Sequence, residues 1–270
     1  MSLLPTHDTD VHWVSVLGHP SSVNAASTTG TMVGVFRDGQ RVRGFRQDPD
    51  MTQSVIDAPG AVATFPQRVT ESGDIAGDYT DPRGRQHGFV HRDGEYLPVD
   101  HPDAAHTWVT GINSRGDLTG CWQDRGGTMH GFVCRDGEYA PIDGTTHVLD
   151  LGEDGDVVAL GRSTYGGKPP LLVGRPHRLR SAPEPTWDST ARQWSALAGS
   201  GPHLAGHYRH GTATHAMAFD GVRRQCVDLR FPGTRRSSAT GVCADGSVVG
   251  YVIDVEGHRL GFVLPECLHS

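Results

Sequence analysis

Thr110-Gly111-Ile112-Asn113-Ser114-Arg115-Gly116-Asp117-Leu118-Thr119-Gly120-Cys121-Trp122 is followed by Met129-His130-Gly131-Phe132-Val133-Cys134-Arg135-Asp136-Gly137-Glu138-Tyr139-Ala140-Pro141-Ile142-Asp143. Together they form one copy of a unit that recurs along the chain. Gly77 and Gly120, His87 and His130, and Asp100 and Asp143 each stand 43 residues apart. Aligned on the glycine that ends the first half of each unit, the copies fall at Gly34, Gly77, Gly120, the degenerate Ala159, Gly206 and Gly250. A fixed period of this length marks a repeat architecture.

Each copy divides into four short runs. In the third they are Trp108 to Asn113, Asp117 to Trp122, Met129 to Cys134 and Glu138 to Ile142. All are of strand length, rich in β-branched and aromatic residues, and bounded by Gly, Asp and Asn. Asp136-Gly137 favours a two-residue hairpin because both positions tolerate positive φ. Four antiparallel strands per ~43 residues is the blade of a β-propeller. The spacing therefore predicts an all-β chain, one six-bladed propeller domain over residues 1–270. The sixth copy stops after its third run, Arg259 to Leu264, while Val11 to Pro20 reads as a fourth strand without a blade. The expectation is that this N-terminal strand completes the last blade and closes the ring. The fourth copy departs most: its third run is Pro170 to Val173, and Ser181 to Arg192 reads as an extended loop.

Composition narrows the function classes. A net charge of -7 gives no electrostatic case for nucleic acid or an anionic membrane. No run of about 18 apolar residues is present to span a bilayer. The first residues, MSLLPTHDTDVHW, lack the basic and apolar regions of a secretory signal. Five cysteines without C-x-x-C spacing read as reduced thiols in the cytoplasm, with no metal site. Dinucleotide, P-loop and metalloprotease motifs are absent, so no cofactor is expected.

His87-Gly88-Phe89, His130-Gly131-Phe132 and, more loosely, His215-Ala216-Met217 resemble the HAF-repeat family of propeller-like proteins. Arg43-Gly44-Phe45 and Leu260-Gly261-Phe262 keep the Gly-Phe without the histidine. The resemblance implies a propeller and no particular activity. Members of that family are often extracellular, and the missing signal departs from that pattern. Propellers include binding modules and enzymes such as strictosidine-synthase-like cyclases and lactonases, so the fold alone does not choose among functions.

Residues repeated in several blades read as architecture: His87, His130 and His215 as blade-to-blade hydrogen-bonders, Asp57, Asp100, Asp143 and Asp228 as turn caps. A site is expected where the repeat breaks. Counting back five residues from each first-turn glycine gives Ala25, Arg68, Gly111, Asp150, Ala196 and Gly241 on the strand nearest the axis. Arg68 and Asp150 stand out, either as a structural ion pair or as an acid/base or anion-binding pair. Nearer the mouth come Phe65, His106, Trp108, His147 and Trp194, then Asp78, Tyr79, Cys121, Trp122, His207, Tyr208 and Tyr251. Aromatic rings with a few polar groups describe either a small-molecule pocket or inter-blade packing. Cys121 reads as a nucleophile with His207 as base, or as a buried thiol.

The expected function is an enzyme with a small-molecule substrate, hydrophobic or aromatic, and no redox cofactor: a cyclase, isomerase or lyase, as in natural-product biosynthesis. Its catalytic candidates are His147, His207, Tyr208, Arg68 and Asp150. Its substrate-binding candidates are Phe65, Tyr79, His106, Trp108, Trp122, Trp194 and Tyr251. The alternative is a non-catalytic binding module, lectin-like or protein-interacting, which would repeat its site from blade to blade.

Overall fold

The computed structural model describes residues 11–163, 169–182, 203–223, 225–243, 245–265 and 267–268, and of 193–200 the backbone. Every regular element among them is a β-strand, and the strands pair antiparallel in groups of four, with single parallel bridges from Val42 to Ala63 and from Thr214 to Arg236 joining groups. The first unit is β2 (Ser21–Ala26), β3 (Met32–Asp38), β4 (Arg41–Gln47) and β5 (Gln53–Ile56). The second is β6 (Ala63–Val69), β7 (Ile75–Thr80), β8 (Gln86–Arg92) and β9 (Glu95–Val99). The third is β10 (His106–Ile112), β11 (Leu118–Gln123), β12 (Met129–Arg135) and β13 (Glu138–Ile142). The fourth is β14 (Thr145–Leu151), β15 (Val157–Gly161), β16 (Leu171–Arg175) and β17 (Arg178–Ser181). The fifth is β18 (Gln193–Ser200), β19 (His203–His210), β20 (Ala213–Asp220) and β21 (Gln225–Leu229). The last three strands are β22 (Thr234–Val242), β23 (Val248–Asp254) and β24 (Arg259–Leu264); the outer partner of β24 is β1 (His12–Val14), from the other end of the chain.

The β1 strand is shorter than the run from Val11 to Pro20. It pairs His12 with Val263, Trp13 with Phe262 and Val14 with Gly261, and the chain then turns through a bridge between Val16 and His19. Of the loop at 181–192, residues 183–192 lie outside the described residues.

The core is a series of junctions. Each hydrophobic cluster joins one unit to the next: Ala25, Val33 and Ile56 meet Ile75 and Phe89, and Ala76, Val90 and Val99 meet Val109 and Phe132. Val133 and Ile142 meet Val148, Val158 meets Leu204 and Met217, and Ala216 meets Ala239 and Phe262. Cys243 and Val249 of the sixth unit pack on Val14, Val23 and Phe45 near the start of the chain. A four-stranded unit cannot cover both its faces alone, so its stability is shared with its neighbours.

The repeated motifs have steric reasons. Phe45, Phe89, Phe132 and Phe262, the third residue of the His-Gly-Phe motif and its variants, are each at most 1% exposed. Cutting such a ring to alanine costs about 3–5 kcal/mol. The middle glycine lets the next unit approach: a Cβ on Gly88 would stand 2.5 Å from Val109 Cγ2. The unit-aligning glycine faces the paired first strand, where a Cβ on Gly77 would overlap the Phe65 carbonyl oxygen. Asp93-Gly94 and Asp136-Gly137 have φ of 51° and 81° at both turns, as their dipeptides predict.

His87 and His130 bond within their own units, not to a neighbouring backbone. His87 Nδ1 lies 2.7 Å from Asp100 Oδ2, and His130 Nε2 lies 3.0 Å from Asp124 Oδ2. The partners are carboxylates just after the fourth strand and on the loop before the third, because the imidazole lies along its own sheet.

Candidate functional site

The first strands of the units lie side by side. Each touches the first strand of the next unit, and β22 touches β2. All six carry a β-bulge at one level: the register shifts between Val23 and Ala25, Pro66 and Arg68, Val109 and Gly111, Val148 and Asp150, Ala196 and Ala198, and Ala239 and Gly241. In the fifth unit the residue equivalent to Arg68 is therefore Ala198, not Ala196. The pairing here runs on to Ser200 with His203, so counting back from the following glycine overshoots.

A bulge leaves one residue out of the ladder and re-aims its side chain. In three units that side chain ties down the next unit. Asn24 Nδ2 donates to the Pro66 carbonyl at 2.8 Å, and Thr110 Oγ1 donates to the Val148 carbonyl at 2.7 Å. Thr240 Oγ1 donates to the Val23 carbonyl, from the last unit to the first. Each acceptor is the residue just before the neighbour's bulge.

The second unit breaks this pattern. Its bulge residue, Gln67, turns its amide to Asp78 on the adjacent strand, Nε2 to Oδ1 at 3.2 Å. Asp78 is 5% exposed, and desolvation, only partly opposed by Gln67, pushes its pKa up to about 7. The next residue, Arg68, reaches past the third unit, where the equivalent position is Gly111, to the fourth. Arg68 Nε donates to Asp150 Oδ1 at 2.9 Å, Nη2 to the Leu149 carbonyl at 3.2 Å and Nη1 to the Gln67 carbonyl at 2.7 Å. Both side chains of the ion pair are nearly covered, at 14% and 11% exposed. Burial raises the pKa of Asp150, and the Arg68 charge pulls it back. Asp78, Gln67, Arg68 and Asp150 are thus connected in one polar line across the first strands of the second to fourth units.

The other candidates divide by position. Phe65 pairs in register with Asp78 and is half-buried. Trp108 stacks on His106 at 5.6 Å, and His106 Nδ1 accepts from the Gln86 amide at 3.1 Å. His147, exposed at the far end of its strand, lies 3.1 Å from Thr146 Oγ1, and desolvation lowers its pKa. His207 Nδ1 lies 3.1 Å from Ser238 Oγ of the next unit; desolvation, then the charge of Arg236, lowers its pKa.

Three rings are committed to stacking along their own sheets. Tyr79 lies on His87 at 5.1 Å, and Trp122 lies between His101 at 4.0 Å and His130 at 4.5 Å. Tyr208 is buried 5.3 Å from His215, with its pKa pushed up to about 12 by burial and then by Asp228. Tyr251 lies under the Arg259 guanidinium, 3.5 Å from the ring centre. Trp194 is on β18 opposite Tyr208, and its side chain lies outside the described residues. Burial, then the charge of Asp78, pushes the Cys121 thiol up to about 12, so it is protonated at neutral pH and is no thiolate nucleophile.

Sequence reasoning placed Asp78 at the mouth but missed its role and missed Gln67. The available signal was the run Gln67-Arg68, two long polar side chains at a level where the other units carry small or short ones. Among the described residues, a cluster of potential metal ligands occurs at Asp254, Glu256 and His258, in the loop between β23 and β24. Asp254 Oδ1 there caps the loop backbone, as Asp81 and Asp124 do in their own units.

Comparison with known proteins now bears on this geometry. No family model and no curated protein matches the chain. Among solved structures, a putative TolB from Agrobacterium tumefaciens superposes with TM-score 0.60 at 10% identity, over 92% of this chain and 91% of that one. A catalytically inactive variant of virginiamycin B lyase from Staphylococcus aureus, with quinupristin, gives 0.54 at 12% identity, over 94% and 98%. The chain is a β-propeller. TolB from Acinetobacter baumannii gives 0.59 at 14% identity over 80% of this propeller, which spans 55% of that chain. At these identities the likeness concerns the fold alone, and the site has to be argued from its own residues.

Proposed function

We propose that this propeller has six blades, closed by β1, and is an enzyme with one asymmetric site in its central channel. It moves a proton on a hydrophobic or aromatic small molecule, as a cyclase, isomerase or lyase without a redox cofactor. The observation that carries this reading is the Asp78 carboxyl, buried, held by Gln67 and poised near neutrality. A general acid or base is most effective when its pKa lies near the working pH, and contributes about 10²–10⁴-fold. Asp78 exchanges the proton, Gln67 positions it, and Arg68, fixed by Asp150, offers its charge to an anion developing in the channel. His147 and His207, neutral at pH 7, are the accessory bases, and Phe65 and Trp108 are apolar wall.

Six blades and closure are supported by the β1–β24 pairing, the cluster joining Val23 to Val249, and the Thr240–Val23 hydrogen bond. A single site is supported by the residues in register with Asp78 in the other blades: Val35, Cys121, Leu160, His207 and Tyr251 share no chemistry. A lectin-like module would present equivalent platforms. The rings best placed for that, Tyr79, Trp122 and Tyr208, are covered by histidines. Five free cysteines support a reducing compartment, the cytoplasm. Among propellers of similar fold, virginiamycin B lyase is a lyase with a known catalytically inactive variant, so the architecture can carry chemistry of this class.

The test is a thermal-shift screen of aromatic and polyketide-like compounds beside mono- and disaccharides, followed by turnover assays on hits. One compound class should bind one-to-one and be turned over, with Asp78→Asn retaining binding and losing about 10²–10⁴-fold in kcat. Sugars bound at several equivalent blade positions, or Asp78→Asn turning over as fast as wild type, would overturn the reading.

A further inference from the structure

We propose that the junction between the fourth and fifth blades holds a second binding site, for a short zwitterion with an apolar middle. A cavity of about 270 Å³ lies there. Its volume suits a small metabolite, being just below the range usual for drug-sized ligands. It opens on the side of the first turns. Its walls come from the start of β15, the end of β16, the start of β19 and the end of β20, with Asp150 at the inner end. The Asp78 level lies on the other side of the bulge: Asp150 pairs with Val158, whereas His147 pairs with Leu160 near the far end of β15. The two sites therefore lie at different levels of the strands, and this proposal does not rest on the enzymatic reading.

The junction has a reason to gape. Its bulge residue is Leu149, which has no side-chain donor, so the hydrogen bond that Asn24, Thr110 and Thr240 make to the next blade cannot form. The turn residue Glu153 is engaged backwards, accepting from the Ser114 amide of the third blade at 3.0 Å. What remains between the walls is Val158, Val173, Leu204 and Phe219, an apolar slot.

The ends of the slot carry opposite charges. Asp150 is neutralised by Arg68, and Asp156 by Arg175 at 3.0 Å. Asp154, also lining the cavity, accepts from the Asp156 amide at 3.0 Å and has no cation partner among the described residues. It sits in the turn between the first and second strands. Arg180, lining the cavity from β17, the fourth strand, has no carboxylate partner among the described residues. The two charges thus stand at separate points of the cavity wall, one in the turn between the first two strands and one on the outermost strand. A ligand that satisfies both carries an ammonium for Asp154, a carboxylate for Arg180 and an aliphatic stretch between them. A short peptide or an ω-amino acid has that form.

The experiment is calorimetric titration of the full chain with 6-aminohexanoate and with glycyl-L-leucine, alongside hexylamine and hexanoate as single-ended controls. At least one zwitterion should bind saturably at one site, with each single-ended control about tenfold or more weaker, the effect of one charge-assisted contact. Arg180→Ala and Asp154→Asn, at exposed positions, should each weaken the zwitterion about tenfold, and Val173→Trp should abolish binding by filling the slot. Asp78→Asn should bind it as wild type does. Absence of saturable binding by both zwitterions, parity with the single-ended controls, or binding unchanged in Arg180→Ala and Asp154→Asn would each overturn the proposal. Should Val173→Trp fail to fold, the two exposed variants decide.

Discussion

The junctions that Asn24, Thr110 and Thr240 make and the junction after the second unit are built from the same bulged backbone, yet they use its free side chain differently. Asn24, Thr110 and Thr240 spend it on the next blade's carbonyl; Gln67 spends it on a buried carboxyl in its own blade. The following residue diverges too: Ala25, Gly111 and Gly241 leave the axis open, whereas Arg68 crosses it to Asp150. The repeat therefore supplies one re-aimed side chain per unit near the axis, and in four of the units it is polar. Where it fastens blades it is architecture, and where it is released from fastening it can organise a proton-carrying group.

The largest effect should come from closure itself. Removing residues through His19 strips β1 from β24 and uncovers Val249 and Phe262, and cooperative thermal unfolding should be lost. A truncated chain that melts like the full one would break the account of the ring. Next in size is Arg68→Met, which leaves Asp150 charged, buried and unpaired. Denaturant unfolding should show a loss of about 3–5 kcal/mol, largely recovered in Arg68→Met/Asp150→Leu.

Asp78→Asn should act in the opposite direction, and with pH. The folded carboxyl keeps its proton up to about 7, while the unfolded one releases it near 3.8. Between these values the folded state binds more protons, so this group's contribution to stability falls as pH rises and is fully unfavourable above about pH 7. Asparagine has no such proton to lose. The variant should match wild type near pH 4 and exceed it at pH 8 by up to about 4 kcal/mol. Equal pH profiles would mean that Asp78 is not desolvated.

The smallest pair sharpens the comparison most. Thr240→Val removes the sixth-to-first fastening and should cost about 1–3 kcal/mol by stranding a buried carbonyl. Gln67→Met removes no fastening between blades but strands a buried carboxyl oxygen, so it should also cost about 1–3 kcal/mol, while raising the Asp78 pKa further because the hydrogen bond that lowers it is gone.

Much of this was legible in the sequence, and unevenly so. Period, strand lengths and Asp-Gly turns are local properties, and the glycine and phenylalanine positions followed because each has one steric solution per repeat. Arg68 and Asp150 were visible as the charged exceptions at one level, and they meet. Ala196 was misplaced because the pairing runs on to Ser200 with His203, which counting along the chain does not detect. The rings of Tyr79, Trp122 and Tyr208 read equally well as pocket or packing, and only the third-strand histidines stacked on them decide which. Asp78 was ordinary in sequence: its raised pKa comes from what covers it, and burial is not a property of a lone aspartate between Gly77 and Tyr79.

The most direct measurement is a carbon NMR titration of the aspartate carboxyls in wild type and Asp78→Asn. The account predicts one carboxyl titrating near pH 7 in the wild type, absent from the variant and moved upward by Gln67→Met. If every aspartate in the wild type titrates below about pH 5, Asp78 is an ordinary carboxylate and the channel has lost its proton carrier.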